Sequence, residues 1–391
     1  MEGDFIKIND WLLPLSWIYG AGVRLRNQMF EMGMLKSRSF DIPVISVGNI
    51  TVGGSGKTPH VEYLINLLRD KVKVAVLSRG YKRKSKGYML ATADTPMSDI
   101  GDEPYQMKKK FADIYVAVDK DRCHGIDHLT TNEETSDTDV ILLDDAYQHR
   151  YVKPGVNILL VDYHRLIMYD KLLPAGRLRE PQKGKARADI VIVSKCPADL
   201  KPMEFRVITK AMNLFPYQKL YFTTLKYGSL RPIYGGEDRK LDTLTGDTSI
   251  LLLTGIASPQ QMIVDLKPYT ERITPLTFPD HHQYTDADID RINAEFEAMK
   301  GNDKMIVTTE KDNARLCGME GLSDEVKKNI YVLPVEVGFM LDQEEDFNEN
   351  IIGYVRKNSR NSILAKAKDD NKSDNSDNSG NRTRTISFRN N

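Results

Sequence analysis

A glycine-rich segment near the N-terminus constrains this chain more than any other part of its sequence. An apolar run at residues 42–47 precedes the segment, and a helical pattern of apolar side chains at residues 61–68 follows it. A strand, a glycine-rich turn and a helix that begins with lysine and threonine form the order typical of phosphate-binding loops. The segment consists of Thr51, Val52, Gly53, Gly54, Ser55, Gly56, Lys57 and Thr58.

Each residue type in this loop has a chemical reason to be there. Glycines let backbone N–H groups turn toward the β- and γ-phosphates, and the helix N-terminus adds partial positive charge. We expect Lys57 to reach the terminal phosphates and Thr58 to hold Mg²⁺. The strict pattern has glycine where Thr51 stands, so a glycine-rich surface turn is the alternative. The flanking strand and helix and the intact Gly-Lys-Thr end favour nucleotide binding.

Composition excludes some classes of protein. A chain of 391 residues is long enough for about two to three domains. Its 55 Lys and Arg balance 55 Asp and Glu, which disfavours a nucleic-acid-binding protein. Cys123, Cys196 and Cys317 are scattered and form no Cys-x-x-Cys pair, as expected in a reducing compartment.

Near-continuous apolar runs alternate with helical or loop segments along the chain. Such runs predict a parallel sheet that is buried on both faces. We therefore predict an α/β fold: a P-loop NTPase-type, doubly wound, mostly parallel sheet with a second, smaller α/β domain. The predicted division is an N-terminal helix at 1–30, a P-loop domain at 31–217, an extended linker at 218–246, a second α/β domain at 247–357 and a disordered tail at 358–391.

The N-terminal segment combines aromatic and basic residues. The apolar stretch at residues 11–23 is shorter than the roughly 18–20 residues that a membrane-spanning helix needs. It contains Trp11 and Trp17 and is followed by Arg24 and Arg26, a pattern typical of a helix at a membrane surface. A helix packed against the main domain explains the same residues, and the pattern alone does not decide between the two.

Two carboxylates end the apolar run at residues 140–143. Asp144 and Asp145 are predicted to lie beside the phosphate loop, where a carboxylate can complete the Mg²⁺ shell. Gln148 and His149 follow at once and could line the same cleft. A solvated strand end is the alternative for such a pair of aspartates.

A second acidic pair precedes another helical pattern. Phosphoryl transfer to an alcohol requires a group that accepts the hydroxyl proton, and Asp102, followed by Glu103, could serve. Ordinary N-terminal capping by Asp102 is the competing explanation. His281 and His282 lie in a polar segment at residues 278–284, where one histidine could polarise a catalytic carboxylate or simply be a satisfied loop residue.

The nucleotide is expected to be ATP. Guanine-binding domains place an [NT]-K-x-D motif after a late strand, and the segment at residues 194–197 has no aspartate at the needed place, since Asp199 comes two positions late. A short basic run at residues 79–86 is the one feature that favours a nucleic-acid ATPase.

Taken together, these segments resemble the tetraacyldisaccharide 4′-kinases, the lipid A 4′-kinases of Gram-negative bacteria. The matching stretches follow one another in order between about residues 10 and 340, and Thr51 in the loop is also a feature of that family. They are found at residues 46–59, 77–81, 101–104, 143–149, 173–181, 254–256, 278–282 and 309–312. Ala146 and Arg177 depart from the usual pattern, which has glycine and proline there.

The resemblance implies transfer of the ATP γ-phosphate to the 4′-hydroxyl of a tetraacyldisaccharide 1-phosphate, with Mg²⁺ as cofactor. It implies a lipid A disaccharide precursor and a membrane surface as partners, no nucleic acid, and a location on the cytoplasmic face of the bacterial inner membrane. We expect a monomer. The implied roles are phosphate and metal binding for Lys57 and Thr58, metal binding for Asp144, Asp145 and Glu103, catalysis for Asp102, His281 and Lys57, and lining of the cleft for Gln148, His149, Arg122, Arg179 and Glu180.

A protein of a different class, a membrane-associated nucleotide switch, would use the phosphate loop and the N-terminal helix equally well. That interpretation assigns no role to Asp102, to the segment around His281 or to the second domain. Substrate-dependent phosphoryl transfer distinguishes a kinase from a switch and from a nucleic-acid ATPase.

Overall fold

The structure, a computed structural model, describes residues 8–256, 259–280, 282–301, 303–316 and 319–358. The strands are β1 Val44–Gly48, β2 Val74–Ser78, β3 Met89–Leu90, β4 Tyr115–Val118, β5 Val140–Asp144, β6 Val156–Asp162, β7 Ile190–Ser194, β8 Lys219–Tyr227, β9 Arg231–Pro232, β10 Ser249–Thr254, β11 Ile273–Thr277, β12 Lys304–Thr309, β13 Ile330–Leu333 and β14 Val335–Phe339. The α-helices are α1 Leu13–Glu31, α2 Lys57–Leu68, α3 Met97–Ile100, α4 Asp102–Lys110, α5 Arg122–Thr131, α6 Pro202–Met212, α7 Gln260–Leu266, α8 Asp286–Ala298, α9 Glu310–Leu316, α10 Asp324–Asn329 and α11 Glu344–Asn358.

A large, mostly parallel sheet forms the first lobe. Its strand order is β14-β8-β7-β6-β1-β5-β2-β4-β3, and only the two outermost contacts, β14 with β8 and β3 with β4, are antiparallel. Every residue of β1, β2, β5 and β7 is buried, because helices cover both faces of the sheet. The predicted doubly wound P-loop NTPase-type fold is confirmed.

Successive side chains along each strand point to opposite faces of this sheet. Ile45 and Val47 of β1 pack with α2 on one face. Val44, the first residue of β1, packs with α5 on the opposite face of the sheet. Because β1 is central in the sheet, this packing fixes the start of α2, and with it the phosphate loop, against the C-terminal ends of β1 and β5.

The second lobe is built on a smaller sheet with the order β11-β10-β12-β13-β9. Its first three contacts are parallel, and β9 pairs antiparallel to β13 at one edge. Ile289, Ile292 and Phe296 of α8 are buried against Leu251 and Ile306 of this sheet. The two lobes meet where α4 of the first faces α9 of the second.

The lobes do not follow the predicted division of the chain. The expected linker at residues 218–246 begins with β8, which pairs with β7 and β14 and belongs to the first sheet. The predicted second domain at 247–357 also returns to the first lobe, since β14 joins that sheet and α11 packs Phe347 and Ile351 into its core. The reason is long-range pairing, which local composition does not reveal. Residues 359–391 of the predicted tail lie outside the described part of the chain.

The N-terminal helix α1 packs on the first lobe and also exposes apolar side chains. Ser16 is buried, donates from Oγ to the Leu172 carbonyl at 3.0 Å and accepts from the Ala175 N–H at 3.0 Å. Trp11 is 93% exposed and Trp17 is 70% exposed. In the described part of the chain, none of the helices is both long and apolar enough to cross a membrane.

Candidate active site

The glycine-rich segment forms a loop between β1 and the N-terminus of α2. Gly53 has φ of 117° and Gly56 has φ of 78°, left-handed conformations that favour glycine. The Val52 N–H donates to the Arg177 carbonyl at 2.8 Å, and Asn49 donates from Nδ2 to Ser55 Oγ at 2.7 Å. The loop is therefore held at both ends, with the first turn of a 12-residue helix directly behind it.

His60 stabilises the end of this loop from inside α2. Its Nδ1 lies 2.7 Å from the Gly56 carbonyl oxygen, and its Nε2 lies 3.0 Å from Thr223 Oγ1. A carbonyl oxygen can only accept, so Nδ1 donates and Nε2 accepts from the Thr223 hydroxyl. Complete burial lowers the pKa of His60 to about 4, which keeps the ring neutral.

Asp144 and Asp145 lie at the C-terminal end of β5, beside the start of α2. Asp144 is fully buried and accepts a hydrogen bond from Ser78 Oγ at 3.1 Å. Asp145 Oδ1 lies 3.6 Å from Lys57 Nζ, and its Oδ2 lies 3.6 Å from Arg179 Nη1. Parallel strands thus bring the predicted lysine and both carboxylates to one edge of the sheet.

The two aspartates have opposite electrostatic environments. Burial, with the negative charges of Glu103 and Asp145, raises the pKa of Asp144 to about 7. Burial also acts to raise the pKa of Asp145. The positive charges of Lys57 and Arg179 have the larger effect, so the pKa of Asp145 is lowered. Glu103, at the start of α4, is close enough to Asp144 for its charge to act on that pKa.

The oxygen atoms of these carboxylates fit a hard divalent cation. Within the described residues, Asp144 Oδ1 and Asp145 Oδ1 are buried and have no hydrogen-bond partner. Carboxylate and hydroxyl oxygens are the ligands that Mg²⁺ prefers, and Thr58 at the start of α2 supplies the hydroxyl. Asp144, Asp145 and Thr58 therefore form a donor set suited to Mg²⁺, and Glu103 adds a further carboxylate facing the cleft.

The first turn of α4 is bound by cations from α9 of the second lobe. Asp102 Oδ2 lies 2.5 Å from Arg315 Nη2, and Glu103 Oε1 lies 2.5 Å from Lys311 Nζ. The Asp102 side chain also accepts from the Glu103 N–H at 3.0 Å, a contact at the first residue of the helix. Both residues are thus part of a charged contact between the lobes, and the N-cap of α4 is Gly101, so the alternative of ordinary capping by Asp102 is wrong.

A buried aspartate fixes Arg315 in this contact. Asp312 is fully buried, and its Oδ1 lies 3.1 Å from Arg315 Nη1. Its Oδ2 accepts a hydrogen bond from the Gly255 N–H at 2.9 Å. Thr309 Oγ1 donates to the same carboxylate at 2.7 Å. Burial alone lowers the pKa of Arg315, yet hydrogen bonding and charge from Asp102 raise it, so the guanidinium stays charged.

The remaining predicted cleft residues separate into two groups. Gln148 accepts from Arg179 Nη1 at 3.3 Å and donates to the Asn49 carbonyl at 2.5 Å, so it links Arg179 to the phosphate loop. Arg122 is buried, and its Nη2 lies 3.5 Å from the Asp144 carbonyl oxygen. Gln148, Arg179 and Arg122 are therefore neighbours of the aspartate pair.

Glu180 and His149 have other surroundings. Glu180 is buried, and its Oε1 lies 2.8 Å from Arg187 Nη2. The two side chains form an internal ion pair. Burial, followed by the charge of Arg122, lowers the pKa of His149 to about 4, so this imidazole is neutral. His281, predicted to orient Asp102, lies outside the described residues. Its neighbour His282 pairs with Asp288 at 2.9 Å, a contact within its own lobe.

The structure adds residues that sequence reasoning did not select. Lys195, directly after β7, donates from Nζ to the Gly54 carbonyl and lies 2.9 Å from Asp162. The one feature of the sequence that indicated a place for Lys195 in the site is its position directly after an apolar strand, because the carboxyl ends of parallel strands meet at the same edge of a sheet. Lys311 and Arg315 lie in or near the polar segment at residues 309–312, whose spacing alone did not indicate a partner.

The chain is similar to known proteins over most of its length. A model of the family described as Tetraacyldisaccharide-1-P 4'-kinase matches residues 8–356. The chain is 61% identical over 363 residues to a tetraacyldisaccharide 4'-kinase of Phocaeicola vulgatus, covering 93% of this chain and 99% of that protein. A Bacteroides fragilis protein of the same name is 54% identical over 377 residues, which cover 95% and 100% of the two chains.

A solved structure is similar over most of the chain. It is the crystal structure of LpxK from Aquifex aeolicus in complex with ATP, with a TM-score of 0.66 and 31% sequence identity. The similarity covers 88% of this chain and 98% of that one.

Proposed function

The chain belongs to the tetraacyldisaccharide 4′-kinase family, and from this premise we propose how its own residues perform the reaction. The chain is an ATP-dependent kinase of lipid A biosynthesis that transfers the γ-phosphate to the 4′-hydroxyl of tetraacyldisaccharide 1-phosphate. The observation that best supports our assignment of residues is the convergence of Lys57, Asp144 and Asp145 at one sheet edge, with Glu103 of α4 close to Asp144.

We assign the ATP phosphates to the loop at residues 51–58. Backbone N–H groups at the start of α2 face the phosphates, and the helix N-terminus favours their negative charge. Lys57 neutralises charge that develops on the transferred phosphoryl group, and its contact with Asp145 keeps the ammonium directed into the cleft. Lys195 supports the loop from the β7 side through the Gly54 carbonyl.

Mg²⁺ is assigned to Thr58, Asp144 and Asp145, with Glu103 beside them. The ion would neutralise phosphate charge during transfer. For this chain the important property is that Asp144 must give up its proton before its carboxylate can bind a cation, because its pKa is raised to about 7.

Asp102 is assigned as the group that accepts the proton of the acceptor hydroxyl. Arg315 holds its Oδ2 from the second lobe, so the orientation of the carboxylate depends on how the lobes meet. His281 is proposed to orient the same carboxylate, as the resemblance to the family implies. A proton acceptor held by two lobes would be completed on closure around the substrates, which also excludes water.

The acceptor phosphate and the membrane have candidate contacts as well. Arg122 and Arg179 place positive charge next to the aspartate pair and suit an anionic acceptor. The exposed Trp11 and Trp17 on and before α1 suit the lipid headgroup region. We propose a monomer that binds peripherally to the cytoplasmic face of the inner membrane and has no nucleic-acid partner.

The test is transfer of labelled phosphate from ATP to tetraacyldisaccharide 1-phosphate in detergent micelles. We expect Mg²⁺-dependent labelling of the lipid and a loss of about 10²–10³-fold in Lys57→Met, because a group that stabilises transition-state charge is removed. Lys71→Met, an exposed lysine just after α2, is the matched control and should retain activity. Nucleotide binding without any lipid labelling would favour the nucleotide switch instead.

A further inference from the structure

Three side chains with metal-binding chemistry converge outside the proposed Mg²⁺ site. They are Asp121 and Cys123, at the start of α5, and His149, in the turn that follows β5. One ligand atom from each residue lies within 4.8 Å of the other two. Two segments more than 20 residues apart in sequence therefore bring a carboxylate, a thiol and an imidazole to one place.

His149 contributes the imidazole of this group and is partly buried. Its Nε2 is buried and has no hydrogen-bond partner among the described residues. Buried polar atoms in native structures are nearly always paired, so an unpartnered imidazole nitrogen calls for an explanation. The ring is neutral at physiological pH, which is the form that binds metals.

The other two side chains are oriented and accessible. Cys123 is half-buried, and its Sγ lies 3.5 Å from the Tyr151 carbonyl oxygen, a weak contact for a thiol. Asp121 is exposed and accepts from the Cys123 and His124 N–H groups through Oδ1, which fixes the carboxylate at the helix start. A carboxylate that caps a helix through one oxygen retains further acceptor capacity.

We propose that Asp121, Cys123 and His149 form a binding site for one divalent cation of the zinc class. Thiolate and imidazole are ligands that zinc accepts readily and that Mg²⁺ does not, so this donor set is selective against the kinase cation. Ligand atoms around a tetrahedral zinc lie roughly 3.3–3.8 Å apart for bonds of about 2.0–2.3 Å. Side-chain adjustment of about an ångström brings the three groups into range, and a fourth position remains for water.

The proposed site is connected to the kinase cleft through neighbouring residues. Arg122 lies between Asp121 and Cys123 in sequence and contacts the Asp144 carbonyl. His149 shares its turn with Asp145 and Gln148. A cation bound here would tie the start of α5 to the turn after β5 without occupying the Asp144 and Asp145 oxygens.

A second pair of histidines lies close by and must be distinguished from this site. His124 and His128 are one helical turn apart on α5, with their Nε2 atoms 3.0 Å apart. Asp119 Oδ2 lies 2.6 Å from His124 Nδ1. Such a pair can also bind metals, but it contains no thiolate, so spectroscopy of a sulfur–metal bond separates the two.

The experiment is titration of the full chain with Co²⁺, a spectroscopic substitute for zinc, in a phosphine reductant that does not compete for metal. We expect a thiolate-to-cobalt charge-transfer band that saturates at one ion per chain and disappears on addition of Zn²⁺. The band should be lost in Cys123→Ser. Asp121→Asn, which keeps the helix cap, should weaken binding by about tenfold or more.

Matched controls identify the source of the band. Cys196→Ser and the double variant His124→Ala, His128→Ala should both retain it, since Cys196 is buried elsewhere and the histidine pair contributes no sulfur. Far-ultraviolet circular dichroism and thermal unfolding verify that each variant is folded. A wild-type chain that shows no band at saturating Co²⁺, or a band that persists in folded Cys123→Ser, would overturn the proposal. Neither result depends on phosphoryl transfer.

Discussion

Asp144 is the residue whose environment most directly predicts a pH dependence. Its pKa is raised to about 7 by burial and by the charges of Glu103 and Asp145. Protons and Mg²⁺ compete for this carboxylate, so lowering the pH below about 7 should weaken apparent Mg²⁺ affinity by up to tenfold per pH unit. Above pH 7 the affinity should level off. The measurement is the Mg²⁺ concentration that gives half-maximal activity between pH 6 and 8.5.

Ser78 provides a control for that prediction. Its hydroxyl donates to Asp144 at 3.1 Å and stabilises the ionised form. Ser78→Ala should therefore move the transition in Mg²⁺ affinity to higher pH. An Mg²⁺ affinity that is independent of pH in the wild-type chain would contradict the assignment of Asp144 to the metal.

His60 predicts a separate effect on stability. Its pKa falls from 6.5 to about 4 on burial, so between these values the unfolded state binds the additional proton. The free energy of unfolding should therefore fall as the pH drops from 6.5 toward 4, by up to about 3 kcal/mol for this one group. The measurement is the difference between wild type and His60→Gln in urea denaturation across this range. Identical pH dependence in the two proteins would show that burial of His60 has no such effect.

At the scale of elements, the contact between α4 and α9 links the lobes. Arg315 is almost fully buried between Asp102 and Asp312. Arg315→Met removes the guanidinium that pairs with both carboxylates, and we expect a loss of about 3–5 kcal/mol in unfolding free energy with a reduced kcat. Arg272→Met removes an exposed pair with Asp247 and should cost about 1 kcal/mol or less. Equal effects in the two variants would argue against a structural role for this contact.

Local elements of the chain were predictable because their information is local. The buried strands β1, β2, β5 and β7 appear as apolar runs, and the phosphate loop has its glycines and lysine in sequence order. The pairing of Asp102 with Arg315 was not predictable, because Arg315 is 213 residues away and reaches Asp102 only through packing of the two lobes. The assignment of β8 and β14 to the first sheet depends on the same kind of long-range pairing.

At the scale of the molecule, the N-terminal segment has exposed aromatic residues and one contact with a residue of the site. Tyr19 on this helix donates to the Arg179 carbonyl at 2.7 Å, so the helix is fixed close to a residue of the site. Ser16 of α1 packs on the lobe while Trp17 and Trp11, just before the helix, are exposed, so the segment has both features that its sequence indicated, and its role at a membrane stays a prediction.

This arrangement predicts binding to lipid vesicles. The double variant Trp11→Ser, Trp17→Ser should reduce sedimentation with anionic vesicles by several-fold to tenfold, because exposed rings stabilise the protein at the headgroup region. Met203→Ser, which removes an exposed apolar side chain on α6, is the control and should bind like wild type. Equal binding of all three proteins would place the membrane contact elsewhere.

Steady-state phosphoryl transfer by Asp102→Asn in detergent micelles tests the assignment of the proton acceptor most directly. We expect kcat to fall by about 10²–10⁴-fold, the range for loss of a general base, while ATP affinity is nearly unchanged. Asp99→Asn, on the neighbouring helix α3, should behave like wild type. A kcat that is unchanged in Asp102→Asn would contradict the role of Asp102, even if the chain remains an active kinase.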